Sequence, residues 1–231
     1  MEPKEKAEGV LYVVSTPIGN LQDITLRALD VLGKVDLIAC EDTRRTRKLL
    51  TYYQLSTPCT SYFEGNRVRK GQYIISRLLE GCQVALVTEA GTPCISDPGN
   101  HLVRLAVEHD QRVVPIPGPS ALTAALSIAG SPGARFFFHG FLPTKGRGKV
   151  LRSLKDMTAT LVFYESPHRV RRTLEDILTI LGDRFVVMAR ELTKIYEEVR
   201  RNKVSALLEE LDGSTIKGEV TLLVFPEKWR G

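Results

Sequence analysis

The twelve residues TEAGTPCISDPG (88–99) follow the apolar run QVALV and precede NHLVRLAVEH, in which apolar residues recur at helical spacing. The stretch contains two glycines, two prolines, two carboxylates and three hydroxyl side chains. A connection between a strand and a helix usually needs only about two to six residues. A loop of this length and composition therefore indicates a ligand-binding segment at the end of a strand, in addition to a turn.

The alternation of strand and helix continues in both directions from this loop. Short runs rich in Val, Ile, Leu and Phe predict buried strands: LYVVS, VDLIAC, QVALV, RVVPI, RFFFHGF, TLVFYE, FVVMARE and VTLLVF. Between them lie segments of helical period: ITLRALDVL, RRTRKLLTYY, GQYIISRLLEG, NHLVRLAVEH, SALTAALSIAG, RVRRTLEDILTILG and KVSALLEEL. We expect Asp23 and Thr43 to cap the first two helices. The pattern predicts an α/β protein with helices on the faces of parallel or mixed sheets.

The segment PIPGPS (115–120) is the predicted boundary between two domains. Its three prolines restrict the backbone to extended conformations, and its glycine allows the chain to change direction directly before an Ala-rich helix. We therefore predict a mobile tail at residues 1–9, an N-terminal α/β domain at 10–118 and a C-terminal α/β domain at 119–231, with a cleft between the domains. The GRGK stretch at 146–149 is expected to be a mobile loop of the second domain.

Composition excludes several classes of protein. With 231 residues, 43% hydrophobic and 26% charged, the chain is typical of a globular protein with a real core. No apolar run approaches the roughly 18–20 residues of a membrane helix, and the charged start MEPKEKAEG is not a secretion signal. The four cysteines form no C-x-x-C pair and the four histidines no H-x-x-x-H pair. We expect reduced thiols, no metal site and a cytoplasmic location.

Basic residues recur in clusters beside the predicted strand ends, and the net charge is +5. The clusters are Arg44, Arg45, Arg47 and Lys48; Arg67, Arg69 and Lys70; Lys145, Arg147 and Lys149; and Arg169, Arg171 and Arg172. A solvated helix face explains any one of them equally well. Together they favour a polyanionic partner, most simply nucleic acid.

Loops at the carboxyl ends of the strands are where α/β sheets bind ligands. Here they read STPIGN, EDTRR, TEAGTPCISDPG, PIPGPSA, GFLP, ESPHR and RELTK. The sequence has no G-x-G-x-x-G after the first strand, no G-x-x-x-x-G-K-[ST] and no G-x-S-x-G. Nicotinamide-binding, ATP-binding and serine-hydrolase interpretations therefore lose support.

Ordered motifs between residues 11 and 225 carry a resemblance to a known family: TPIGNLQDITLRAL, ACEDTR, VTEAGTPCISDPG, PGPSALTAAL, GFLP, FYESPHR and RELTK. The chain resembles the ribosomal RNA small-subunit methyltransferase I family of the tetrapyrrole-methylase superfamily. The resemblance implies an enzyme that uses S-adenosylmethionine, bound in a cleft between two α/β domains, to methylate the ribose 2′-hydroxyl of a cytidine in 16S ribosomal RNA. It also implies a homodimer that acts on the RNA or on the small ribosomal subunit.

The resemblance also implies which residues contact the cofactor. They are Pro17, Ala90, Gly91, Thr92, Ile95, Ser96, Ser120, Ala121, Tyr164 and Leu192. Gly91 would let the backbone approach the cofactor closely, although a purely structural turn is the alternative. Ile95, Ala121 and Leu192 would form apolar walls for the adenine, or else pack in the core.

Proton removal from the ribose hydroxyl would need a general base, because that hydroxyl is a weak nucleophile. Candidates at strand ends are Glu41, Asp42, Glu89 and Glu165. In-line positioning of the oxygen is an alternative source of rate acceleration. Asn20 would orient the attacking ribose or cap the helix that follows it.

RNA contacts are expected from basic side chains near these loops. The candidates are Arg44, Arg45, Arg47, Arg67, Lys145, Arg147 and Arg169. Arg44 would hold an RNA phosphate or pair with the neighbouring acids Glu41 and Asp42.

Three departures from the family pattern stand out. Thr88-Glu89 replaces the usual Ser-Asp before A-G-T-P, which lengthens the carboxylate's reach. Phe63-Glu64-Gly65-Asn66 replaces H-E-H-N, so two imidazoles are missing and no proton transfer is assigned to that segment. The sequence stops soon after GEVTLLVFPE, where relatives generally continue with a helical segment.

Two rival interpretations remain open at this point. One keeps the fold and the cofactor but methylates a small molecule such as a tetrapyrrole. The other is a non-catalytic RNA-binding module that retains a cofactor pocket. Transfer of labelled methyl groups to RNA, to a tetrapyrrole or to neither separates the three.

Overall fold

The computed structural model describes residues 8–131, 135–227 and 229. The chain divides into two compact units, Met1–Ser120 and Ala121–Gly231. The division falls shortly after the boundary predicted behind Gly118. Most of the predicted mobile tail, residues 1–7, lies outside the described residues.

The first unit is built on a five-stranded parallel sheet with the strand order β3-β2-β4-β1-β5. Its elements are β1 (Val10–Val14), α1 (Leu26–Lys34), β2 (Leu37–Cys40), α2 (Thr43–Tyr52), β3 (Cys59–Ser61), α3 (Arg67–Leu79), β4 (Gln83–Leu86), α4 (Gly99–Glu108) and β5 (Arg112–Ile116). A 3₁₀ turn at Leu21–Asp23 precedes α1. Because the strands are parallel, their carboxyl ends lie at one edge of the sheet, which we call the carboxyl edge.

Residues of the central strand β4 show why this sheet is covered on both faces. Val84 and Leu86 pack with residues of α3 and α4, whereas Ala85 and the following Val87 pack with residues of α1 and α2. Successive side chains of a strand point to opposite faces, so an uninterrupted apolar run requires a helical layer on each side.

The second unit is built on a mixed sheet with the strand order β6-β7-β10-β8-β9, in which only β6 and β7 are parallel. Its elements are α5 (Ala121–Ala129), β6 (Phe136–Phe141), α6 (Arg147–Ser153), β7 (Thr160–Glu165), α7 (Val170–Leu181), β8 (Phe185–Arg190), β9 (Glu198–Lys203), α8 (Val204–Glu210) and β10 (Val220–Val224). Phe163, Met188 and Leu222 from three of the strands lie in one core with α7 and α8. The predicted α/β class is confirmed.

Every predicted strand and helix is present, and within the described residues two further strands and one further α-helix were missed. Strand β3 has only three residues, and the edge strand β9 reads EVRRNK, with no apolar run to predict it. The prediction of a loop at residues 146–149 is wrong, because α6 begins at Arg147. Its glycines suggested a loop, but the packing of Leu151 in the core stabilises the helix.

Both predicted helix caps are also wrong. The Thr25 hydroxyl accepts a hydrogen bond from the Ala28 N–H and caps α1, and the Asp42 carboxylate accepts one from the Arg44 N–H and caps α2. In each case a neighbouring residue with a side-chain oxygen has the extended backbone that a cap requires. The four cysteines are free thiols, as predicted.

Candidate active site

The loops that follow β1, β4 and β5 are joined at the carboxyl edge by short hydrogen bonds. The Thr16 and Gly91 backbones exchange two of them, at 2.9 and 3.0 Å. The Thr92 hydroxyl donates to the Pro119 carbonyl at 3.1 Å and lies 2.9 Å from the Ser15 hydroxyl. Because Thr92 has only one hydroxyl proton, Ser15 is the donor in the second contact. The three loops therefore form one fixed group.

Gly91 has a backbone conformation that suits glycine. Its φ is +87°, and a Cβ built there would lie 3.3 Å from Ile18 Cγ2 and 3.8 Å from the Pro119 carbonyl oxygen. A side chain at residue 91 would thus be strained and would point into the space between neighbouring loops.

Two non-glycine residues of the same loop also have positive φ angles, Cys94 at 73° and Ser96 at 71°. The Asp97 carboxylate holds this segment, because its Oδ1 accepts from the Cys94 and Gly99 N–H groups at 2.8 and 3.0 Å. Backbone strain of this kind is common at ligand-binding loops, where the surroundings enforce it.

Glu41 is a half-buried carboxylate directly after β2. Burial raises its pKa above the ordinary value, and the negative charges of Asp97 and Glu89 raise it further. The Thr88 hydroxyl, which donates to Glu41 Oε1 at 2.9 Å, acts in the opposite direction. A carboxylate with a raised pKa accepts a proton more readily, so Glu41 suits the role of a general base.

Other candidate catalytic groups of the first unit have local partners. The Asp42 carboxylate caps α2, and Asn20 Oδ1 accepts from the Gln22 N–H at 3.0 Å. Glu89 pairs with Arg45 at 2.5 Å. Glu41, by contrast, is half-buried, has a raised pKa and is held by a neutral hydroxyl group.

Glu165, the candidate base of the second unit, is enclosed in the protein. Its side chain is fully buried, and it accepts from the Thr173 hydroxyl at 2.6 Å and from the Ser166 N–H at 2.8 Å. Arg169 lies 3.3 Å away. This geometry joins β7 to α7 and does not support Glu165 as a base for an external hydroxyl.

The structure brings together most residues predicted to contact the cofactor. Seven lie in the joined loops of the first unit: Pro17, Ala90, Gly91, Thr92, Ile95, Ser96 and Ser120. Ala90, Ile95 and Ser96 are exposed there, whereas Pro17 and Gly91 are buried. Exposed side chains around a buried glycine are what a surface binding loop requires.

Three predicted cofactor residues belong to the second unit. The Tyr164 hydroxyl accepts from the Leu122 N–H at 3.0 Å, which places it beside Ala121 at the start of α5. The Tyr164 ring contacts Phe138 and Phe141 edge-on. Leu192, in the segment after β8, is 8% exposed and packs in the interior of this unit.

The predicted RNA-binding residues fall into two groups. Arg44, Arg45, Arg47 and Lys145 are exposed or half-exposed. Arg44 forms no ion pair with Glu41 or Asp42; only its backbone N–H binds Asp42. Arg67 is half-buried and pairs with Glu64.

Two basic residues of the second unit have structural partners instead. Arg147 is 7% exposed and donates to Asp176 Oδ2 at 2.6 Å and to the Thr173 hydroxyl at 3.1 Å. Arg169 donates to the Leu142 carbonyl at 2.6 Å. These contacts do not support RNA binding by Arg147, and they hold Arg169 in place.

The sequence assigned no role to Thr88, Asp97 or Ser15, although Thr88 lowers the pKa of Glu41 and the other two fix the loops. The usable signal was the number of Ser, Thr and Asp residues directly after strands, because short polar side chains at strand ends often bond neighbouring loops. Their partners became visible only in the fold.

Two kinds of feature are absent from the described residues. No group of three or more His, Cys, Asp or Glu side chains in that part of the chain is arranged to hold a metal ion. None of its helices is long and apolar enough to span a bilayer.

Known proteins share this fold. Uroporphyrin-III C-methyl transferase from Thermus thermophilus, solved in complex with S-adenyl homocysteine, superposes with a TM-score of 0.67 at 18% identity, covering 95% of this chain and 98% of that one. The family model of tetrapyrrole (corrin/porphyrin) methylases matches residues 10–208. The fold and the strand-end site thus define a methylase of the tetrapyrrole type.

Bacterial relatives narrow the assignment. Ribosomal RNA small subunit methyltransferase I of Halalkalibacterium halodurans is 48% identical over 219 residues, which is 94% of this chain and 76% of that protein. The protein of the same name from Thermotoga maritima is 48% identical over 217 residues, 94% of this chain and 98% of that protein. The chain belongs to the ribosomal RNA small subunit methyltransferase I family. The predicted family is confirmed, and with it the prediction of a methyltransferase.

Proposed function

We propose that this enzyme transfers a methyl group from S-adenosylmethionine to the ribose 2′-hydroxyl of a cytidine in 16S ribosomal RNA. The observation that carries the proposal is the position of Glu41 at the carboxyl edge. Its carboxylate has a raised pKa and accepts a hydrogen bond from Thr88, the first residue of loop 88–99, which we call the glycine loop. The names of the bacterial relatives support the choice of ribosomal RNA as the methyl acceptor.

The residues present fit the cofactor. Gly91 leaves open the space that a Cβ would fill, and Ala90 and Ser96 of the same loop are exposed. Glu41 and Asp97 give the surroundings of loop 88–99 negative charge, which favours a ligand carrying a sulfonium and an ammonium group. The complex of the Thermus thermophilus relative with S-adenyl homocysteine supports the same ligand class.

The cofactor residues that we propose are the seven of the joined loops, together with Ala121, Tyr164 and Leu192 of the second unit. The last three rest on the family resemblance. That the cofactor lies in a cleft between the two domains stays a prediction.

S-adenosylmethionine would supply the methyl group: its bond to the sulfonium sulfur would break as the bond to the ribose oxygen forms, leaving S-adenosylhomocysteine. We assign Glu41 as the base: its carboxylate accepts the 2′-hydroxyl proton as that O–H bond breaks, and the oxygen's electron pair becomes available for the new C–O bond. The Thr88 hydroxyl holds Glu41 Oε1 and limits the rise in its pKa. Asn20, on the loop after β1, orients the ribose.

Arginines of α2 contact the RNA backbone in this proposal. Arg44, Arg45 and Arg47 lie at the start of α2, directly after Glu41 and Asp42. Lys145 is exposed in the second unit and Arg67 lies at the start of α3. We further propose that the enzyme recognises the RNA within the small ribosomal subunit, that it is a homodimer and that it is cytoplasmic. The family resemblance supports these three points.

Transfer of tritium-labelled methyl groups to small ribosomal subunits lacking this modification tests the proposal. We expect label in RNA, recovered as 2′-O-methylcytidine after nuclease digestion. Label on the base, or on added uroporphyrinogen only, would contradict it. RNA binding without methyl transfer would indicate a non-catalytic RNA-binding module.

A further inference from the structure

Phe63 is an exposed aromatic residue at the carboxyl edge that the mechanism does not use. It lies two residues after β3, the edge strand that pairs with β2, and β2 ends next to Glu41. Its side chain is 45% exposed. An aromatic ring left in water beside a proposed catalytic group requires a reason, because its burial elsewhere would be favourable.

The backbone around Phe63 is fixed on both sides. The Phe63 N–H donates to Asn66 Oδ1 at 2.9 Å, and the Asn66 amide donates to the Ser61 carbonyl at 3.2 Å. The preceding Tyr62 is buried, with its hydroxyl 3.0 Å from His101 Nδ1 on α4. The Phe63 ring lies over Gly65, where a Cβ would come within 2.8 Å of Phe63 Cε2. Hydrogen bonds thus fix the loop backbone, and the ring rests against Gly65 while staying partly exposed, so a ligand meets it at little entropic cost.

Unpaired basic residues lie on the two helices that begin at the same edge of the sheet as Phe63. Helices α2 and α3 both begin at the carboxyl edge, and Arg44, Arg47 and Arg69 form no ion pair with any described residue. The nearby acid Glu64 is compensated by Arg67 at 2.6 Å. A polyanion is thus favoured over a basic or uncharged partner.

We propose that Phe63 stacks against an unpaired base of the RNA substrate next to the target nucleotide, while Arg44, Arg47 and Arg69 contact its phosphates. A fixed aromatic ring with flanking guanidinium groups is the usual arrangement for binding single-stranded nucleic acid, because every base offers a π face. This inference rests on the proposed function and adds the requirement that the bases near the target are unstacked.

Binding of a fluorescein-labelled single-stranded RNA of about 12 nucleotides, followed by anisotropy, tests the stacking. Phe63→Ala should weaken binding about 5- to 150-fold, the equivalent of removing one base–aromatic stack. The slope of log affinity against log salt should not change, because every phosphate contact is kept. Phe63→Trp should bind like the wild type, and binding of Phe63→Ala to duplex RNA should be unaltered.

Tyr52→Ala is the matched control. Tyr52 is a 59% exposed aromatic residue of the same unit, at the opposite end of α2 and about 13 Å along the helix from Thr43. It should bind single-stranded RNA like the wild type. Each variant's affinity for S-adenosylhomocysteine, measured by calorimetry, reports on its fold.

Equal RNA affinity of Phe63→Ala and wild type would overturn the inference, as would an equal loss in Phe63→Ala and Phe63→Trp with intact S-adenosylhomocysteine binding. Methyl transfer by the wild type to small subunits is measured in the same preparations. Transfer by the wild type with no effect of Phe63→Ala refutes the stacking alone, whereas absence of transfer by the wild type refutes the proposed function.

Discussion

Glu41→Gln separates proton removal from every other role of the site. The amide oxygen of glutamine can still accept the Thr88 hydroxyl's hydrogen bond, so the local geometry is kept. The substitution removes the group that accepts the proton. A positioned general base contributes typically about 10²- to 10⁴-fold to a rate, and we expect a loss of that size in single-turnover methyl transfer.

The pH dependence of the methyl-transfer rate provides a second test of Glu41 as the base. Burial raises the pKa of Glu41, helped by the charges of Asp97 and Glu89, so the wild-type rate should fall on the acid side at a pH above the ordinary glutamate range. Glu41→Gln should lack this fall, because the amide does not titrate.

The free energy of unfolding should change in the opposite direction from the rate. A carboxyl whose pKa is higher in the folded than in the unfolded protein contributes stability below its unfolded pKa, and that contribution is lost as the pH rises through its folded pKa. Glu41→Gln should therefore be at least as stable as the wild type at neutral pH, which denaturant unfolding can check.

The assay is incorporation of labelled methyl groups into small subunits between about pH 5 and pH 9, with enzyme in excess. Glu64→Gln, an exposed and ion-paired acid near the same edge, serves as the control. An undiminished rate in Glu41→Gln, with the wild-type pH profile, would refute the assignment of Glu41 as the base.

Three further predictions follow from single features of the structure. Gly91→Val should destabilise the fold by about 1–2 kcal/mol through its positive φ and should abolish binding of S-adenosylhomocysteine by calorimetry; unchanged affinity in a folded variant would contradict the loop assignment. The double variant Arg44→Gln/Arg47→Gln should weaken RNA binding and reduce the salt slope by about 0.7 for each phosphate that is no longer neutralised, and an unaltered slope would place the RNA elsewhere. Arg147→Met should cost about 1–3 kcal/mol in denaturant unfolding because Asp176 and Thr173 lose their partner, whereas RNA affinity should not change; the reverse result would make Arg147 an RNA ligand.

The fold was predictable where burial leaves a periodic pattern in the sequence. Val84 to Val87 read as one apolar run because both faces of β4 are covered, and that run predicted the strand. Strands β3 and β9 carry no such run, because β3 has only three residues and β9 has no buried residue. Strands of this kind are defined by backbone pairing, which depends on residues distant in sequence.

The location of the site could be predicted from the sequence, whereas the roles of its residues were harder to predict. Spacing after strands pointed to Glu41, Asp42 and Glu89 alike, but it could not show that Asp42 caps a helix, that Glu89 pairs with Arg45, or that burial raises the pKa of Glu41. The partners of these acids separate them, and those partners come together only in the fold. The same holds for Arg147, whose sequence context is that of a mobile basic loop.

The position of the bound cofactor at the glycine loop is the main claim about this protein. A crystal structure of this chain soaked with S-adenosylhomocysteine tests it directly. We expect the ligand against Gly91 and Thr92, with the sulfur on the same side of the loop as the Glu41 carboxylate. A ligand bound away from residues 88–99, or a sulfur atom that Glu41 does not face, would contradict it.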